Sequence, residues 1–119
     1  MNYITLGNIK AAVLEDGEKI VTVQDALDLM MTAALEECIG LIVPKACLAE
    51  DFFRLQTRLA GEILQKFVNY NMKIAVIGDF SGFASQSLRD FIYESNKGTQ
   101  VFFKADIRQG LEAFAASIP

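Results

Sequence analysis

A short apolar run near the middle of the chain, Ile74 to Ile77, ends at the turn dipeptide Gly78-Asp79. A continuous apolar run bounded in this way is typical of a strand buried on both faces, as at the centre of a parallel or mixed sheet. Helical patterns of apolar residues lie before and after it. We therefore interpret this stretch as the central strand of a βαβ unit, around which the rest of the chain folds.

The N-terminal segment predicts a β-hairpin. Residues 3–7 and 9–15 are short segments with β-branched or aromatic content, separated by a kink near Gly7-Asn8. Asp16-Gly17 is a hairpin turn signal, so residues 19–22 are the predicted returning strand.

Helices and parallel strands alternate in the remainder. Thr22 and Asp25 have the spacing of a capping box, and the helix that they begin is expected to end at Gly40. Strands are predicted at residues 41–43, 73–78 and 100–104. Further helices are predicted from about Glu50 to Tyr70, from Ser85 to about Asn96, and from Asp106 onward. Residues 1–119 are thus expected to form a single α/β domain, a two-layer or three-layer sandwich with a mixed sheet of about five strands, an N-terminal hairpin and a βαβαβα core.

The composition is unusually apolar for so short a chain. Apolar residues make up 52% of the 119 residues and the mean hydropathy is +0.28. A well-filled core explains this, and so does a surface buried against another molecule; we expect a homo-oligomer, such as a homodimer, or a protein partner. The net charge of −4 argues against nucleic-acid binding, which depends on neutralising phosphates.

The two cysteines fit a cytoplasmic protein. No secretory apolar segment is recognisable at the N-terminus, and no stretch reaches the roughly 18–20 apolar residues of a membrane helix. Cys38 and Cys47 are therefore expected to be reduced thiols, with a disulfide as the alternative. Cys38 is expected in the core. Cys47 lies just before a predicted helix, where a thiol is either reactive or a small buried residue.

The absence of histidine removes much catalytic and metal chemistry. No Ser-His or Cys-His nucleophilic dyad can form, and two distant cysteines cannot make a zinc site. Neither GxxxxGK[ST] nor GxGxxG occurs, so two common nucleotide-binding loops are missing. We expect no metal and no cofactor, and a non-enzymatic role is favoured although catalysis stays open.

Candidate ligand residues follow the predicted strands, because open α/β sheets bind ligands at the carboxyl ends of their strands. Asp79 directly follows the central strand. Its carboxylate either binds a metal or acts as a base, or it hydrogen-bonds its own turn. Ser81 either bonds locally or accepts a phosphate.

Two arginines and two phenylalanines allow further interpretations. Arg54 and Arg58 lie four apart in the N-terminal half of the long predicted helix, where cations are disfavoured. With Glu62 they form either a solvated ladder of charges or a site for an anion or an acidic partner. Phe80 and Phe83, in the loop after the central strand, either pack beneath that loop or act as anchors for a protein partner.

Two stretches of the chain resemble a bacterial family of uncharacterised proteins, the domain-of-unknown-function 4180 family. They are FFRLQTRLAGEILQKFVNYNMKIAVIGDF, residues 52–80, and SLRDFIYESNKGTQVFF, residues 87–103. The family pattern has glycine where this chain has Arg58, and a basic residue where it has Gln56. The resemblance implies a fold and a bacterial setting, and it implies no activity.

The predicted order of elements is also similar to that of STAS (anti-sigma-factor-antagonist) domains, which are small cytoplasmic protein-binding modules. Some of them are switched by phosphorylation of a Ser or Thr at the start of a helix. The corresponding residues here, 46–51, are ACLAED and carry no hydroxyl, so that switch is not expected. The first functional hypothesis is a non-enzymatic protein-binding or regulatory module. The alternative is a small-ligand-binding protein or an enzyme with a site at the carboxyl ends of the parallel strands.

Overall fold

A computed structural model describes all residues, Met1–Pro119, and contains one five-stranded mixed sheet. The strands lie side by side in chain order: β1 Asn2–Leu6, β2 Ile9–Val13, β3 Gly40–Pro44, β4 Lys73–Ile77 and β5 Val101–Lys104. β1 and β2 are antiparallel, and every later pair is parallel. The predicted α/β fold with a mixed five-stranded sheet and an N-terminal hairpin is confirmed.

Four α-helices cover the two faces of the sheet. They are α1 Val23–Leu35, α2 Leu59–Asn69, α3 Gln86–Asn96 and α4 Ile107–Ala116. Alternate residues of β4 enter different cores: Ile74 and Val76 pack on the face that carries α1 and α2, whereas Ala75 packs beneath α4. A central strand buried on both faces therefore separates two apolar clusters, and the sandwich has three layers.

The hairpin closes earlier than the sequence predicted. Leu6 pairs with Ile9 across the two-residue loop Gly7-Asn8, and Gly7 has φ +59°, as expected for the first position of a type II′ hairpin turn. The predicted return over residues 19–22 is wrong, because Ile20 instead forms an isolated parallel bridge with Leu48. The predicted kink at Gly7-Asn8 is the hairpin turn itself, and Asp16-Gly17 does not close the hairpin.

The first helix ends at Leu35 and not at Gly40, which lies in β3. Glu37 adopts φ +62°. The N–H of Glu37 donates to Ala34 C=O and that of Cys38 donates to Ala33 C=O, both over 3.0 Å. These two bonds are a Schellman motif, which glycine usually completes. The prediction failed because a glutamate occupies the left-handed position.

The predicted long helix over residues 50–70 is also wrong in its first half. Residues 45–57 form three short 3₁₀ turns, Lys45–Cys47, Glu50–Phe53 and Leu55–Thr57, and α2 begins only at Leu59. The Thr57 hydroxyl lies 2.7 Å from Asp51 C=O and 2.8 Å from Arg54 C=O, which favours a local turn over a continuous helix. Arg58 then interrupts the helix with φ +66°.

Replacing Arg58 by glycine is expected to stabilise the protein by about 0.5–1 kcal/mol, since a non-glycine residue in the left-handed region carries a steric cost of this order. Urea unfolding measures the change. Arg58→Ala is the matched control, because it removes the guanidinium and leaves the steric cost in place. If alanine stabilised as much as glycine, the gain would come from lost charge and not from backbone conformation.

The predicted capping box at the start of α1 is present. The Thr22 hydroxyl accepts from the Asp25 N–H over 3.1 Å, and the Asp25 carboxylate accepts from the N–H groups of Val21 and Thr22 over 2.9 and 3.0 Å. The Val21 N–H, followed by the Thr22 N–H, holds the pKa of Asp25 below its ordinary value of 3.8. The charged carboxylate is therefore favoured in the folded state.

Asp25→Asn is expected to lower stability in a pH-dependent way. Since the pKa of Asp25 is lower folded than unfolded, the stabilisation from its charge is complete above pH 3.8 and is lost as the pH falls through the lowered pKa. The difference in unfolding free energy between wild type and variant should thus shrink on acidification. A difference that stayed constant with pH would show that the carboxylate charge contributes nothing to the cap.

Candidate functional site

A cleft of about 960 Å³ opens at the carboxyl ends of β3 and β4. We call it the strand-end cleft. Its lining residues are Pro44, Lys45, Ala46, Leu48, Glu50, Phe53, Arg54, Ile77, Gly78 and Phe83. Its position matches the sheet edge where ligands were expected, and its walls come from the turns after β3 and the loop after β4.

Three half-buried phenylalanines form an aromatic cluster, Phe53, Phe80 and Phe83, beside the cleft. The rings of Phe53 and Phe83 stack with centroids 5.2 Å apart, and Phe80 lies 6.3 Å from Phe83. Phe80 also meets the ring of Phe103 in β5 edge to face at 5.4 Å. Phe80 therefore ties the loop to the core, while Phe53 and Phe83 present part of their surface to the cleft.

Lys45 connects the two walls of the cleft. Its Nζ donates to Asp79 C=O over 2.9 Å and lies 4.6 Å from the Phe83 ring centroid, within the range of a cation–π interaction. Gly78 makes room for this side chain, because a Cβ at Gly78 would lie 2.9 Å from the Lys45 Cβ. The ammonium group is thus held at the base of the aromatic cluster.

The Asp79 carboxylate is engaged within its own turn. Its Oδ1 accepts from the Ser81 hydroxyl over 2.6 Å and from the Ser81 N–H over 2.9 Å. The Ser81 hydroxyl, then the Ser81 N–H, and then the nearby charge of Lys45 hold the pKa of Asp79 below its ordinary value. Asp79 is absent from the cleft lining, so this geometry corresponds to the local-turn alternative for Asp79 and Ser81.

The two arginines do not share a helix face. Arg54 lines the strand-end cleft, and its guanidinium lies 3.6 Å from Glu50 and 3.4 Å from Asp51. Arg58 and Glu62 instead border a separate shallow hollow on α2, and no ion pair joins them. Only Arg54 of the predicted charged group therefore faces the cleft.

The turns after β3 supply cleft residues that the sequence analysis had not assigned to a site. Lys45 and Glu50 follow the predicted strand at residues 41–43, but neither belongs to a distinctive motif. Phe53 lies in the first half of the predicted long helix, which the 3₁₀ turns replace. The sequence signal that points to these residues is their place in the segment that follows the strand at residues 41–43.

Both thiols lie in the core. Cys47 is 1% exposed and Cys38 is 7% exposed, and burial raises the pKa of both. A thiol protonated at neutral pH and shielded from solvent is unreactive, so Cys47 is the small buried residue of the two alternatives. No group of three or more cysteine, aspartate or glutamate side chains is arranged to hold a metal ion.

None of the four helices combines the length and the apolar character that crossing a bilayer requires.

Comparison with known proteins identifies a family. No curated protein and no solved structure gives a significant match to the chain. A family model described as a domain of unknown function, DUF4180, matches residues 7–113, which include the strand-end cleft, the aromatic cluster and all of the sheet except β1. The chain therefore belongs to the DUF4180 family.

Proposed function

We propose that this protein is a non-enzymatic, regulatory binding module that recognises a segment of a partner protein in the strand-end cleft. The observation that carries the proposal is the partly exposed pair of stacked rings, Phe53 and Phe83, beside the held ammonium group of Lys45. Aromatic side chains in a concave, partly desolvated setting are frequent anchors of protein interfaces. The partner segment that fits is an apolar side chain next to a carboxylate.

The charged groups at the cleft favour binding over catalysis. Glu50 is the one carboxylate in the lining, and Arg54 pairs with it. Asp79 is held by Ser81 outside the lining. General acid–base and nucleophilic mechanisms need a titratable or nucleophilic group positioned at the bound ligand. The Glu50 side chain is 90% exposed and paired with Arg54, so the cleft holds no desolvated carboxylate for that role.

Peptide display tests this proposal. A library of random peptides is selected on the wild-type protein, and individual clones are compared on wild type and Phe83→Ala. Selected peptides should combine an aromatic or aliphatic residue with Asp or Glu, and they should bind Phe83→Ala at least about tenfold more weakly, as expected for an interface anchor. Tyr93→Ala is the matched control, because Tyr93 is 65% exposed and lies on α3 outside the cleft.

Peptides that bound wild type and Phe83→Ala equally would contradict the use of the cleft. A selection that gave no specific clones would contradict a peptide-binding module. Amide shifts in NMR spectra confined to residues of the cleft would give independent support.

A second candidate function is binding of a small anion in the same cleft. Its volume lies within the range of about 300–1,000 Å³ typical of small-molecule sites, and Lys45 and Arg54 both line it. Thermal shifts with inorganic phosphate, nucleotides and dicarboxylates test this candidate. A shift that occurs in wild type and is lost in Lys45→Met would favour the small anion over the peptide.

We also propose that the module acts in the bacterial cytoplasm and self-associates. Two buried, unpaired thiols support a reducing compartment, and the apolar composition supports a covered surface. Phe80 and Phe83 are poor candidates for that surface. Phe80 contacts Phe103 of its own chain, and Phe83 lines the proposed peptide-binding cleft, so we place the contact with a second copy on another surface.

A further inference from the structure

The two edges of the sheet differ in whether their outward backbone groups have hydrogen-bond partners. At the β5 edge, the side-chain amide of Asn96 pairs with the backbone of Phe103: its Nδ2 donates to Phe103 C=O over 3.1 Å, and its Oδ1 accepts from Phe103 N–H over 2.8 Å. The amide thus takes the place of a neighbouring strand. Exposed strand edges are templates for pairing with other chains, and Asn96 occupies the outward backbone groups of Phe103 at this edge.

The β1 edge has no such cover. Because Leu6 and Ile9 close a two-residue hairpin, Leu6 and Ile4 exchange backbone hydrogen bonds with β2, and the alternation of an antiparallel ladder directs the N–H and C=O of Tyr3 and Thr5 outward. The register runs from Asn2 to Leu6 without a bulge. No proline and no charged residue occurs in the strand, so the usual devices that protect an edge are missing.

We propose that β1 pairs antiparallel with β1 of a second copy of this chain, so that the two five-stranded sheets become one continuous sheet. A two-fold axis at Ile4 places Tyr3 opposite Thr5 of the partner copy and Thr5 opposite Tyr3. Each of these pairs then exchanges both outward backbone hydrogen bonds. The same surface serves on both copies, as a two-fold interface requires.

The side chains of β1 favour a copy of this chain over an unrelated partner. Near a two-fold axis every charge meets its own like charge, which destabilises pairing, and NYITL carries none. Tyr3 and Leu6 are 40% and 41% exposed. At the end of α1, Leu35 is 78% exposed and precedes Glu36, whose carboxylate lies 3.6 Å from Lys10 Nζ in β2. Lys10 Nζ also lies 5.0 Å from the Tyr3 ring centroid, so the end of α1 comes near β1. Leu35 can therefore add exposed apolar area to an interface at this edge, whose standard size is roughly 1,600 Å².

This pairing rests on the proposed self-association and is independent of the proposed peptide binding, because no residue of β1 lines the strand-end cleft. Ile4 packs with the α4 side of the sheet. A two-fold axis perpendicular to the sheet keeps both α4 helices on one face and points the two clefts in opposite directions. The dimer would thus present two independent binding sites.

Light scattering across protein concentrations of about 1 µM to 1 mM tests the pairing. Wild type should reach twice the chain mass of 13.1 kDa. Thr5→Pro removes an outward N–H that β2 does not use, so it should give the single-chain mass with an unchanged circular dichroism spectrum. Thr5→Val keeps the N–H and should remain dimeric. Met31→Asp, on a 64% exposed residue of α1, should also remain dimeric.

Three results would overturn the proposal: a wild type that is monomeric throughout the range, a folded Thr5→Pro that stays dimeric, or a Met31→Asp that dissociates. If Thr5→Pro fails to fold, Thr5→Lys provides the test, because it keeps the N–H and puts a like charge at each end of the paired strands. Peptide binding at the cleft is measured separately on Thr5→Lys. Loss of the dimer with peptide binding retained shows that the two functions are distinct.

Discussion

Gly40→Ala is expected to destabilise the protein by about 3 kcal/mol or more, the upper range for overpacking a core. A Cβ at Gly40 would lie 2.7 Å from Phe114 Cε2 and 2.8 Å from Lys73 C=O. Phe114 is fully buried beneath the sheet, and the Lys73 carbonyl belongs to β4, which pairs with β3 at this residue. Neither group can move without displacing a central element of the fold.

Gly61→Ala is the matched control for this substitution. Gly61 lies in α2, and nothing lies within 4 Å of the position of its Cβ. Alanine in a helix is favoured over glycine by about 0.5–1 kcal/mol, so the control should gain stability while Gly40→Ala loses it. Urea unfolding of both variants gives the comparison, and a Gly40→Ala variant within about 1 kcal/mol of wild type would contradict the close packing of β3 against α4.

The sheet could be predicted from the sequence because several local patterns independently indicate each strand. In β4 a continuous apolar run, flanking turns and flanking helical patterns all agree, and such agreement between levels specifies structure strongly. The predicted helix starts at Ser85 and Asp106 are also local features. Each side chain caps its helix by accepting from the N–H three residues later, that of Leu88 and that of Gln109.

The predicted bounds of helices and strands are wrong where a tertiary contact or an unexpected backbone conformation determines the local structure. Glu37 and Arg58 both adopt positive φ, which sequence reasoning assigns to glycine, so one helix was drawn too long and another started too early. The predicted hairpin turn at Asp16-Gly17 is wrong because the chain turns back at Gly7-Asn8, and Ile20 bridges to Leu48 in a distant segment. No local pattern contains that contact.

The sequence predicts where the cleft lies but not which residues line it. The carboxyl ends of β3 and β4 do border the cleft, as the architecture implied. Arg54 and Arg58 were grouped by their spacing on a helix that does not exist there, and the structure separates them. Lys45 and Phe53 enter the cleft through 3₁₀ turns, whose side-chain directions a helical pattern cannot predict.

Asn96→Ala is expected to destabilise the protein by about 2 kcal/mol, because it leaves the N–H and C=O of the buried Phe103 without their hydrogen-bond partners. Asn69→Ala is the matched control. Asn69 also ends a helix, α2, but its exposed amide only accepts from the Gln65 side chain. Its loss should change the unfolding free energy by less than about 0.5 kcal/mol.

The same substitution tests why the two sheet edges differ. If the Asn96 amide closes the β5 edge, Asn96→Ala opens a second edge, and the protein should form species larger than twice 13.1 kDa as its concentration rises. Adding Thr5→Pro removes the β1 edge and should limit assembly again, because each chain then keeps only one open edge. A folded Asn96→Ala variant that loses stability but never exceeds the dimer mass would mean that the amide satisfies the backbone of Phe103 without guarding the edge. Protection of β5 would then come from the packing of α3 alone.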